Sequence, residues 1–347
     1  MADPWAVREA FLIQRAYCDA HSAPITGRIA GALADSLTRE SRTGARVLDW
    51  PGDPTADALP LRLIGGLHAL DQAGAAPDLS RVFAGEVTGM DAVALILADA
   101  LIVHDAALLP WLDGPPQTNE PGRSAVLMTG LLELARRFGP KLELLEIGSS
   151  AGLNLLIDRY RFDLGGTNAG PADAPVLIRP EWRGAPPPQV PIDIVSVRGC
   201  DLRPLDTSDA ETRRRLMAYI WADNPERHAR MEAAFAMLRS RPVDLAAADA
   251  ADWVEARLDE PQARGVTRVL MHSVVWQYLP VEGQRRIRAA MEAAGACAIA
   301  ERPLAWVRME PDRGLARQEL WLRHWPGGGE DRMRAIAHAH GLWVETL

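Results

Sequence analysis

The segment that most constrains the fold is an apolar run that leads directly into a turn of small residues. Residues 142–147 have the composition of a buried strand, and residues 148–152 read Gly-Ser-Ser-Ala-Gly. A turn built from glycine and serine lets backbone N–H groups approach a ligand, and a helix that begins after the turn presents its positive end there. The segment therefore predicts a strand, a ligand-binding turn and a helix at residues 153–158.

Two unrelated chemistries use this pattern. An acidic residue, Glu146, followed by Gly148 and Gly152 is typical of a turn that binds a nucleoside-containing cofactor. The same five turn residues also spell Gly-x-Ser-x-Gly, the nucleophile elbow of serine hydrolases, with Ser150 as the nucleophile. The order of the surrounding helices and strands is what can decide between these two hypotheses.

Downstream of a breaker at residues 113–116, Asp-Gly-Pro-Pro, apolar strands alternate with helical segments. This alternation predicts an α/β domain with a largely parallel sheet that is covered by helices on both faces. A Pro- and Gly-rich insertion at about residues 160–191 interrupts it, and residues 176–178 are its best strand. The predicted strands are residues 142–147, 192–197, 243–247, 269–274, 296–301, 319–324 and 342–346, and the predicted helices are residues 122–138, 153–158, 209–219, 227–238, 251–258, 282–294 and 331–340.

The first part of the chain has a different pattern. Apolar residues recur at helical spacing in residues 5–17, 25–37, 61–70 and 90–108, and no convincing strand separates them. We therefore predict a helical N-terminal cap domain over residues 1–113, which we expect to cover the acceptor site, and an α/β domain over residues 114–347.

Charge and lysine content exclude several classes of function. The net charge of −8 argues against nucleic acid, because binding to a phosphate backbone needs a basic surface. Of the 38 basic residues only Lys141 is a lysine, and a proline precedes it, which excludes a Gly-Lys-Ser/Thr phosphate loop. Since none of the 4 tyrosines is followed four residues later by a lysine, the Tyr-x-x-x-Lys pair of short-chain dehydrogenases is also absent.

The cysteines and the apolar segments bear on the compartment. Cys18, Cys200 and Cys297 form no Cys-x-x-Cys pair, which predicts no metal site and suits a reducing compartment. The first residues lack the basic segment and apolar run of a signal peptide, and charged residues interrupt residues 90–112. We expect a cytoplasmic protein that acts on a small-molecule substrate and binds neither membranes nor nucleic acid, with its oligomeric state left open.

The position of the turn favours a cofactor over a hydrolase. A nucleophile elbow follows a middle strand of its sheet, so about four strands and an oxyanion loop have to precede it. Here a helical block precedes the turn and about six predicted strands follow it, which is the arrangement of a cofactor-binding first strand. Candidate triad partners for Ser150 remain downstream, at Asp249, His272 and His324.

The cofactor is indicated by the spacing of the glycines. A dinucleotide fingerprint reads Gly-x-Gly-x-x-Gly, but Ser150 stands where its second glycine is needed. Glu-x-Gly-x-x-x-Gly instead resembles the first motif of class I S-adenosylmethionine-dependent methyltransferases. That resemblance implies a Rossmann-like sheet, mostly parallel with an antiparallel edge strand, and S-adenosylmethionine as the cofactor. It assigns cofactor binding to the turn residues Glu146, Gly148, Ser149, Ser150, Gly152 and Asn154.

Two further strand ends resemble the same family. Residues 272–280, which begin with His272, are similar to its fourth strand and the following helix, and Asp249 is similar to the acid that contacts the adenine. The acid for the ribose hydroxyls is displaced by the insertion, and Asp201 is the best candidate. An ordinary strand-end turn explains Asp201 equally well. The predicted strands at residues 319–324 and 342–346 match the strand pair with which the family ends.

The whole chain also resembles an uncharacterised bacterial family, domain of unknown function 2332. This family implies the methyltransferase-like fold but brings no established reaction. The matching stretches are residues 117–123, 146–155, 199–206, 220–223, 272–280 and 304–310.

The remaining candidates surround the predicted cofactor. Arg123 is assigned to the cofactor, because a guanidinium pairs bidentately with a carboxylate, and Gln117 and Asn119 are assigned to the substrate. Helix capping by Asn119 and Glu120 is an equally plausible reading. Trp276 and Tyr278 are further substrate candidates, although helix packing explains them more simply. His338 and His340 are expected on the surface of the last helix and not as metal ligands.

These patterns favour an S-adenosylmethionine-dependent methyltransferase that acts on an unknown, small-molecule acceptor. Methyl transfer is an in-line attack on a sulfonium, so the protein mainly positions and desolvates the acceptor. A general base is optional, and His272 is the candidate because it stands at the carboxyl end of a strand. The alternatives are a serine hydrolase that uses Ser150 and a cofactor-fold protein without catalysis.

Overall fold

The computed structural model describes residues 3–312, 314–315 and 317–347. Its α-helices are α1 (Pro4–Ala20), α2 (Pro24–Ser36), α3 (Arg42–Leu48), α4 (Leu59–Gln72), α5 (Pro77–Phe83), α6 (Met90–Val103), α7 (Asp105–Leu108), α8 (Ser124–Phe138), α9 (Ala210–Ala218), α10 (Pro225–Ser240), α11 (Ala250–Leu258) and α12 (Val281–Ala296). Its strands are β1 (Lys141–Ile147), β2 (Arg161–Leu164), β3 (Thr167–Ala169), β4 (Leu177–Ile178), β5 (Glu181–Arg183), β6 (Asp193–Asp201), β7 (Asp244–Ala247), β8 (Thr267–Ser273), β9 (Leu304–Asp312), β10 (Arg317–Trp325), β11 (Gly328–Ala337) and β12 (Trp343–Thr346).

The described residues divide into two compact units. The first contains the residues up to Thr118 together with Ser208–Ala229, and the second contains Asn119–Thr207 together with Arg230–Leu347.

The first unit is helical. A proline lies in the first turn of α1, α2, α4 and α5, where its missing N–H needs no partner. The helices predicted at residues 5–17, 25–37 and 61–70 are confirmed, whereas the one predicted at residues 90–108 is broken at His104 into α6 and α7. The sequence pattern did not reveal α3 and α5, because seven residues are too few to establish a helical period.

An ionised side chain joins residues 208–229 to this unit. The carboxylate of Asp223 accepts hydrogen bonds from the backbone N–H groups of Ile25 (2.7 Å) and Thr26 (3.0 Å). These are orphan donors of the first turn of α2, and a carboxylate is the partner that a helix N-terminus favours.

The second unit is built on a nine-stranded, mostly parallel sheet in the order β5-β12-β11-β10-β9-β8-β1-β6-β7. The five strands from β7 to β9 are parallel to one another, as the alternation predicts. The antiparallel part differs from the single edge strand that was expected: β10, β11 and β12 pair antiparallel in succession, and β5 extends the sheet beyond them. The predicted insertion supplies β5 and a small sheet in the order β3-β2-β4.

Two of the predicted elements in the C-terminal part of this unit are wrong. Residues 331–340 form strand β11 and its exit instead of a helix, because Met333, Ala335 and Ala337 recur every two residues while Met333, Ile336 and Ala337 have helical spacing. His338, expected on the surface of that helix, is buried. The strand predicted at residues 296–301 is the end of α12 and its connection, and the strand itself begins at Leu304.

The helix predicted after the glycine turn is also wrong. Only three residues, Asn154–Leu156, form a 3-10 helix there. A helix this short has no substantial dipole, so the turn lacks the positive helix end that was expected behind it.

Buried charges connect β1 to both of its neighbours. Glu143 on β1 is hydrogen-bonded to Arg198 on β6 (2.9 Å) and to Arg268 on β8 (3.4 Å). Arg268 is 3% exposed and also donates to the Arg257 and Glu260 carbonyls. A carboxylate can lie in this core because two guanidinium groups compensate its charge.

The helices were also compared with the requirements of a membrane span. Among the described residues no single helix combines the necessary length and hydropathy. One pair, Met90–Val103 with Asp105–Leu112, meets them only when counted together across an 85° bend.

We expect Glu143→Ala to lower the free energy of unfolding by about 3 kcal/mol, because it leaves Arg268 buried without its counter-charge. Arg39→Ala is the matched control, since it breaks an exposed ion pair with Asp49 and should cost less than about 1 kcal/mol. Urea unfolding followed by circular dichroism measures both. Equal losses for the two variants would show that the network contributes no more than a surface pair.

Candidate functional site

The glycine turn lies at the point where the order of the strands in the sheet reverses. From β1 the chain continues to β6 and then β7 on one side, and later returns to β8 on the other side of β1. In open α/β sheets ligands bind at such a switch point, outside the carboxyl ends of the strands. The carboxyl ends of β1 and β8 are therefore the expected location of a ligand.

The turn requires unusual backbone conformations. Gly148, Ser150 and Gly152 have φ angles of +68°, +56° and +81°, which is the left-handed region. A Cβ added to Gly148 would lie 2.7 Å from the Cβ of Val275, the second residue after β8. Glycine at position 148 thus allows the two loops that follow β1 and β8 to approach each other closely.

Most of the backbone N–H groups of the turn already have acceptors. This arrangement differs from a phosphate cradle, whose N–H groups point at the ligand. The donor and acceptor pairs are Ser149 with the Cys200 carbonyl (3.0 Å), Ser150 with Asp201 Oδ2 (2.9 Å), Gly152 with the Ser149 carbonyl (2.7 Å) and Leu153 with Asn119 Oδ1 (2.8 Å).

Glu146 is a buried carboxylate at the end of β1. Its Oε1 accepts a hydrogen bond from Asn154 Nδ2 (3.1 Å), and the same amide reaches Ser273 Oγ on β8 (3.3 Å). Asn154 Oδ1 in turn accepts from Ser124 Oγ (3.0 Å). Asn154 therefore connects the ends of β1 and β8, as its predicted place in the site suggests.

The second oxygen of Glu146, Oε2, is buried and has no hydrogen-bond partner among the described residues. Burial raises the pKa of Glu146 to about 7, and the negative charge of Asp201 adds to the rise. Hydrogen bonds from Asn154 and Ser149 and the charge of Arg123 act in the opposite direction. A cationic ligand near Oε2 would favour the ionised carboxylate.

Two more carboxylates stand at the neighbouring strand ends. Asp201 ends β6, and its Oδ1 and Oδ2 accept from the N–H groups of Arg203 and Ser150 (both 2.9 Å). Asp249 follows β7 and caps α11 by accepting from the Ala251 N–H (2.8 Å). Each of these aspartates therefore has a local structural role. Carboxylate oxygens have further lone pairs, so these bonds leave room for a ligand.

The segment before α8 reaches the turn through Asn119, which accepts from Leu153 N–H. Arg123 is buried, and its Nε donates to the Ala339 carbonyl (3.0 Å). Glu120 caps the start of this segment, as the sequence allows, by accepting from the Gly122 N–H (2.9 Å), but sequence reasoning missed its pairing with Arg230 at 3.0 Å. Gln117, predicted to bind substrate, belongs to the first unit.

His272 lies on the opposite face of the sheet from Glu146. Glu146 pairs with Met271, so successive residues of β8 place Ser273 on the face of Glu146 and His272 on the other. The His272 side chain is fully buried, and its Nδ1 is 2.6 Å from Glu310 Oε1. Its ring stacks on Trp276 with a centroid distance of 5.3 Å.

Glu310, at the end region of β9, is a second site residue that sequence reasoning missed. Its Oε1 also accepts from the N–H groups of Val275 and Trp276 (both 3.2 Å), just after Val274 with its left-handed φ of +55°. Glu310 and His272 together hold the loop after β8. An acidic residue inside an apolar strand was the available signal, but only strand pairing identifies its partner.

The two aromatic candidates are placed differently. Trp276 is half-buried between the ring of His272 and the guanidinium of Arg288, which lies 5.0 Å from its ring centroid. Tyr278 is 65% exposed. Trp276 therefore has the packing role that the sequence also suggested, and Tyr278 is open to a ligand.

Several buried polar atoms near these strand ends have no partner within the described part of the chain. Native proteins pair most such atoms, so a group of them indicates an ordered water or a ligand. They are Glu146 Oε2, Ser150 Oγ, His272 Nε2 and Glu310 Oε2. The same described residues contain no group of three or more His, Cys, Asp or Glu side chains that could hold a metal ion.

Comparison with known proteins places almost the whole chain in one family. Residues 8–346 match the family described as "Uncharacterized protein conserved in bacteria (DUF2332)". No curated protein and no solved structure matches the chain.

We expect Gly148→Ala to destabilise the fold by about 3 kcal/mol, the sum of about 1–2 for a left-handed alanine and about 1–3 for the overlap with Val275. Gly166→Ala is the matched control, because Gly166 has a φ of +98° and nothing within 4 Å of an added Cβ. Gly166→Ala should therefore cost only the about 1–2 kcal/mol of a left-handed alanine. Thermal and urea unfolding measure both, and equal losses would mean that the two loops can move apart freely.

We expect the contribution of Glu146 to stability to fall as the pH rises from about 5 to about 7.5. The unfolded chain releases the Glu146 proton near the ordinary pKa of 4.5, whereas the folded protein keeps it up to about 7. The contribution of Glu146 to the free energy of unfolding therefore decreases across this window, by about 3 kcal/mol. Glu146→Gln removes the part of the pH dependence of stability that comes from Glu146. Urea unfolding of the wild-type protein and of Glu146→Gln at each pH measures the difference between their free energies of unfolding. This difference stays constant across the window if the Glu146 pKa is ordinary.

Proposed function

We propose, on the premise that the chain belongs to the bacterial family DUF2332, that it binds S-adenosylmethionine and transfers its methyl group to a small-molecule acceptor. The observation that carries this proposal is the left-handed turn of Gly148, Ser150 and Gly152 at the switch point between β1 and β8. It is joined by the buried Glu146 carboxylate with an unpaired oxygen.

The residues at these strand ends fit this cofactor better than a dinucleotide. Carboxylates at the ends of β1 and β6 and just after β7 suit a sulfonium, an ammonium and hydroxyl groups, which are cationic or donate hydrogen bonds. A pyrophosphate needs free N–H groups or cations, and the turn has used most of its N–H groups internally. The carboxylates are Glu146, Asp201 and Asp249.

The roles follow from position. Gly148 and Gly152 let the turn pack closely against Val275 and Val243, and Ser149 and Asn154 hold the turn in place. Glu146 supplies negative charge, Asp201 accepts from the ribose hydroxyls, and Asp249 accepts from the adenine amino group. Arg123 fixes the segment before α8 and offsets the charge of Glu146.

When bound, S-adenosylmethionine supplies a methyl group activated on a positively charged sulfur. The chain contributes by positioning the acceptor and excluding water from it. Asn119, Trp276 and Tyr278 are the acceptor-side candidates. His272, the general base predicted from the sequence, is fully buried on the other face of the sheet from Glu146, so we assign it, with Glu310, the role of holding the loop after β8.

Calorimetric titration with S-adenosylmethionine tests the proposal. We expect micromolar binding that strengthens as the pH rises through about 7, because only ionised Glu146 attracts the sulfonium. Gly148→Arg should abolish binding, Glu146→Gln should weaken it about tenfold and remove the pH dependence, and Gly166→Arg should leave it unchanged. Absence of binding to the folded wild-type protein would reject the proposal.

A serine hydrolase is the second candidate, because the φ of +56° at Ser150 matches the strained turn of a nucleophile elbow. The Ser150 hydroxyl is buried and has no histidine partner among the described residues, which favours the cofactor. Covalent labelling of the wild-type protein by a fluorophosphonate, lost in Ser150→Ala, would establish the hydrolase instead. Binding of S-adenosylmethionine without transfer to any acceptor in a broad panel would favour a non-catalytic binding protein.

A further inference from the structure

A cavity of about 360 Å³ lies at the amino ends of the parallel strands, away from the glycine turn. The last turns of α8 form one wall, and β10 and β11 form the other. Because α8 ends just before β1 begins, the cavity lies near the amino end of β1. The turn at residues 148–152 follows the carboxyl end of the same strand.

Arginine dominates its lining, although the whole chain carries a net charge of −8. Four arginines and one histidine line the cavity, against two glutamates. The basic side chains are Arg136 and Arg137 of α8, His324 of β10, and Arg332 and Arg334 of β11.

Only one of these arginines is neutralised. Arg334 is paired with Glu133 at 2.6 Å. Arg137 makes a long hydrogen bond to the Gly327 carbonyl (3.4 Å) and lies over the Phe138 ring. Within the described part of the chain, no hydrogen bond or ion pair involves the guanidinium of Arg136 or Arg332. The second glutamate, Glu330, is exposed and likewise has no ion pair there, so the cavity keeps a positive excess.

His324 adds a buried polar atom to this surface. Its Nδ1 is buried without a partner among the described residues, and its ring contacts Phe138 edge-on at 5.3 Å. Burial lowers the pKa of His324, and the positive charges of Arg137 and Arg332 lower it further. An anion placed between these groups would offset that repulsion.

We propose that this cavity binds a small, doubly charged oxyanion, held by the guanidinium groups of Arg136, Arg137 and Arg332 with His324 beside them. A guanidinium presents its N–H donors in a planar fork that matches two oxygens of a phosphate or carboxylate. Several such forks around one cavity suit an anion with oxygens on more than one side. This site is independent of the proposed methyl transfer.

Inorganic phosphate is the probe for the full-length protein, and succinate is the parallel probe for a dicarboxylate. We expect one saturable site by calorimetry, with shifts of the His324 ring resonances in NMR spectra and a rise in the His324 pKa. Tighter binding of phosphate than of succinate would identify a phosphate group as the ligand, and the reverse order would identify a dicarboxylate.

Arg136→Gln/Arg332→Gln should weaken binding at least tenfold, because charge-assisted hydrogen bonds are lost. Arg39→Gln/Arg81→Gln removes the same charge from exposed residues of the first unit and should leave the affinity unchanged. If the first double variant unfolds, the two single variants replace it. The proposal is overturned if neither anion saturates, if both double variants bind equally, or if sodium chloride at equal ionic strength causes the same His324 shifts.

Discussion

The pairing of β1 with β6 on one side and β8 on the other is the constraint on which the rest of the second unit depends. It brings three strand ends to one edge of the sheet and sets the face on which each side chain emerges. Glu143 fixes this arrangement inside the sheet through Arg198 and Arg268, and Asn154 fixes it at the edge through Glu146 and Ser273. Hydrogen bonds thus join the three strands where apolar packing alone would allow them to slide.

The carboxyl ends of these strands carry several features that are unfavourable for stability. Ser150 and Val274 adopt left-handed backbone conformations, and Glu146 holds a carboxyl group away from water. Such features persist where the surrounding contacts determine them, and they are frequent at functional sites. The arginine-lined cavity, near the amino end of β1, is positively charged instead. The second unit therefore has two regions of opposite charge, with carboxylates near the glycine turn and guanidinium groups near the end of α8.

Much of the fold was predictable because its signals are local. The helices α1, α2 and α4 and the parallel strands β1, β6, β7 and β8 follow from periodicity and from breakers such as the Asp-Gly-Pro-Pro segment. Errors occurred where one pattern fits two structures. Met333, Ile336 and Ala337 have helical spacing, yet this segment pairs with β10 as a strand. The helix predicted after the turn shrank to Asn154–Leu156.

The sequence by itself determined the class of fold, the position of the glycine turn and the acidic residue before it, since these depend on neighbouring residues in the chain. It also excluded two motifs, because a chain whose single lysine follows a proline contains neither a Gly-Lys-Ser/Thr phosphate loop nor a Tyr-x-x-x-Lys pair. Only the tertiary structure decided which distant groups meet. His272 with Glu310, Glu120 with Arg230, and Arg136 with Arg332 are brought together by strand pairing and helix packing. Such contacts join residues far apart in sequence, and no local pattern encodes them.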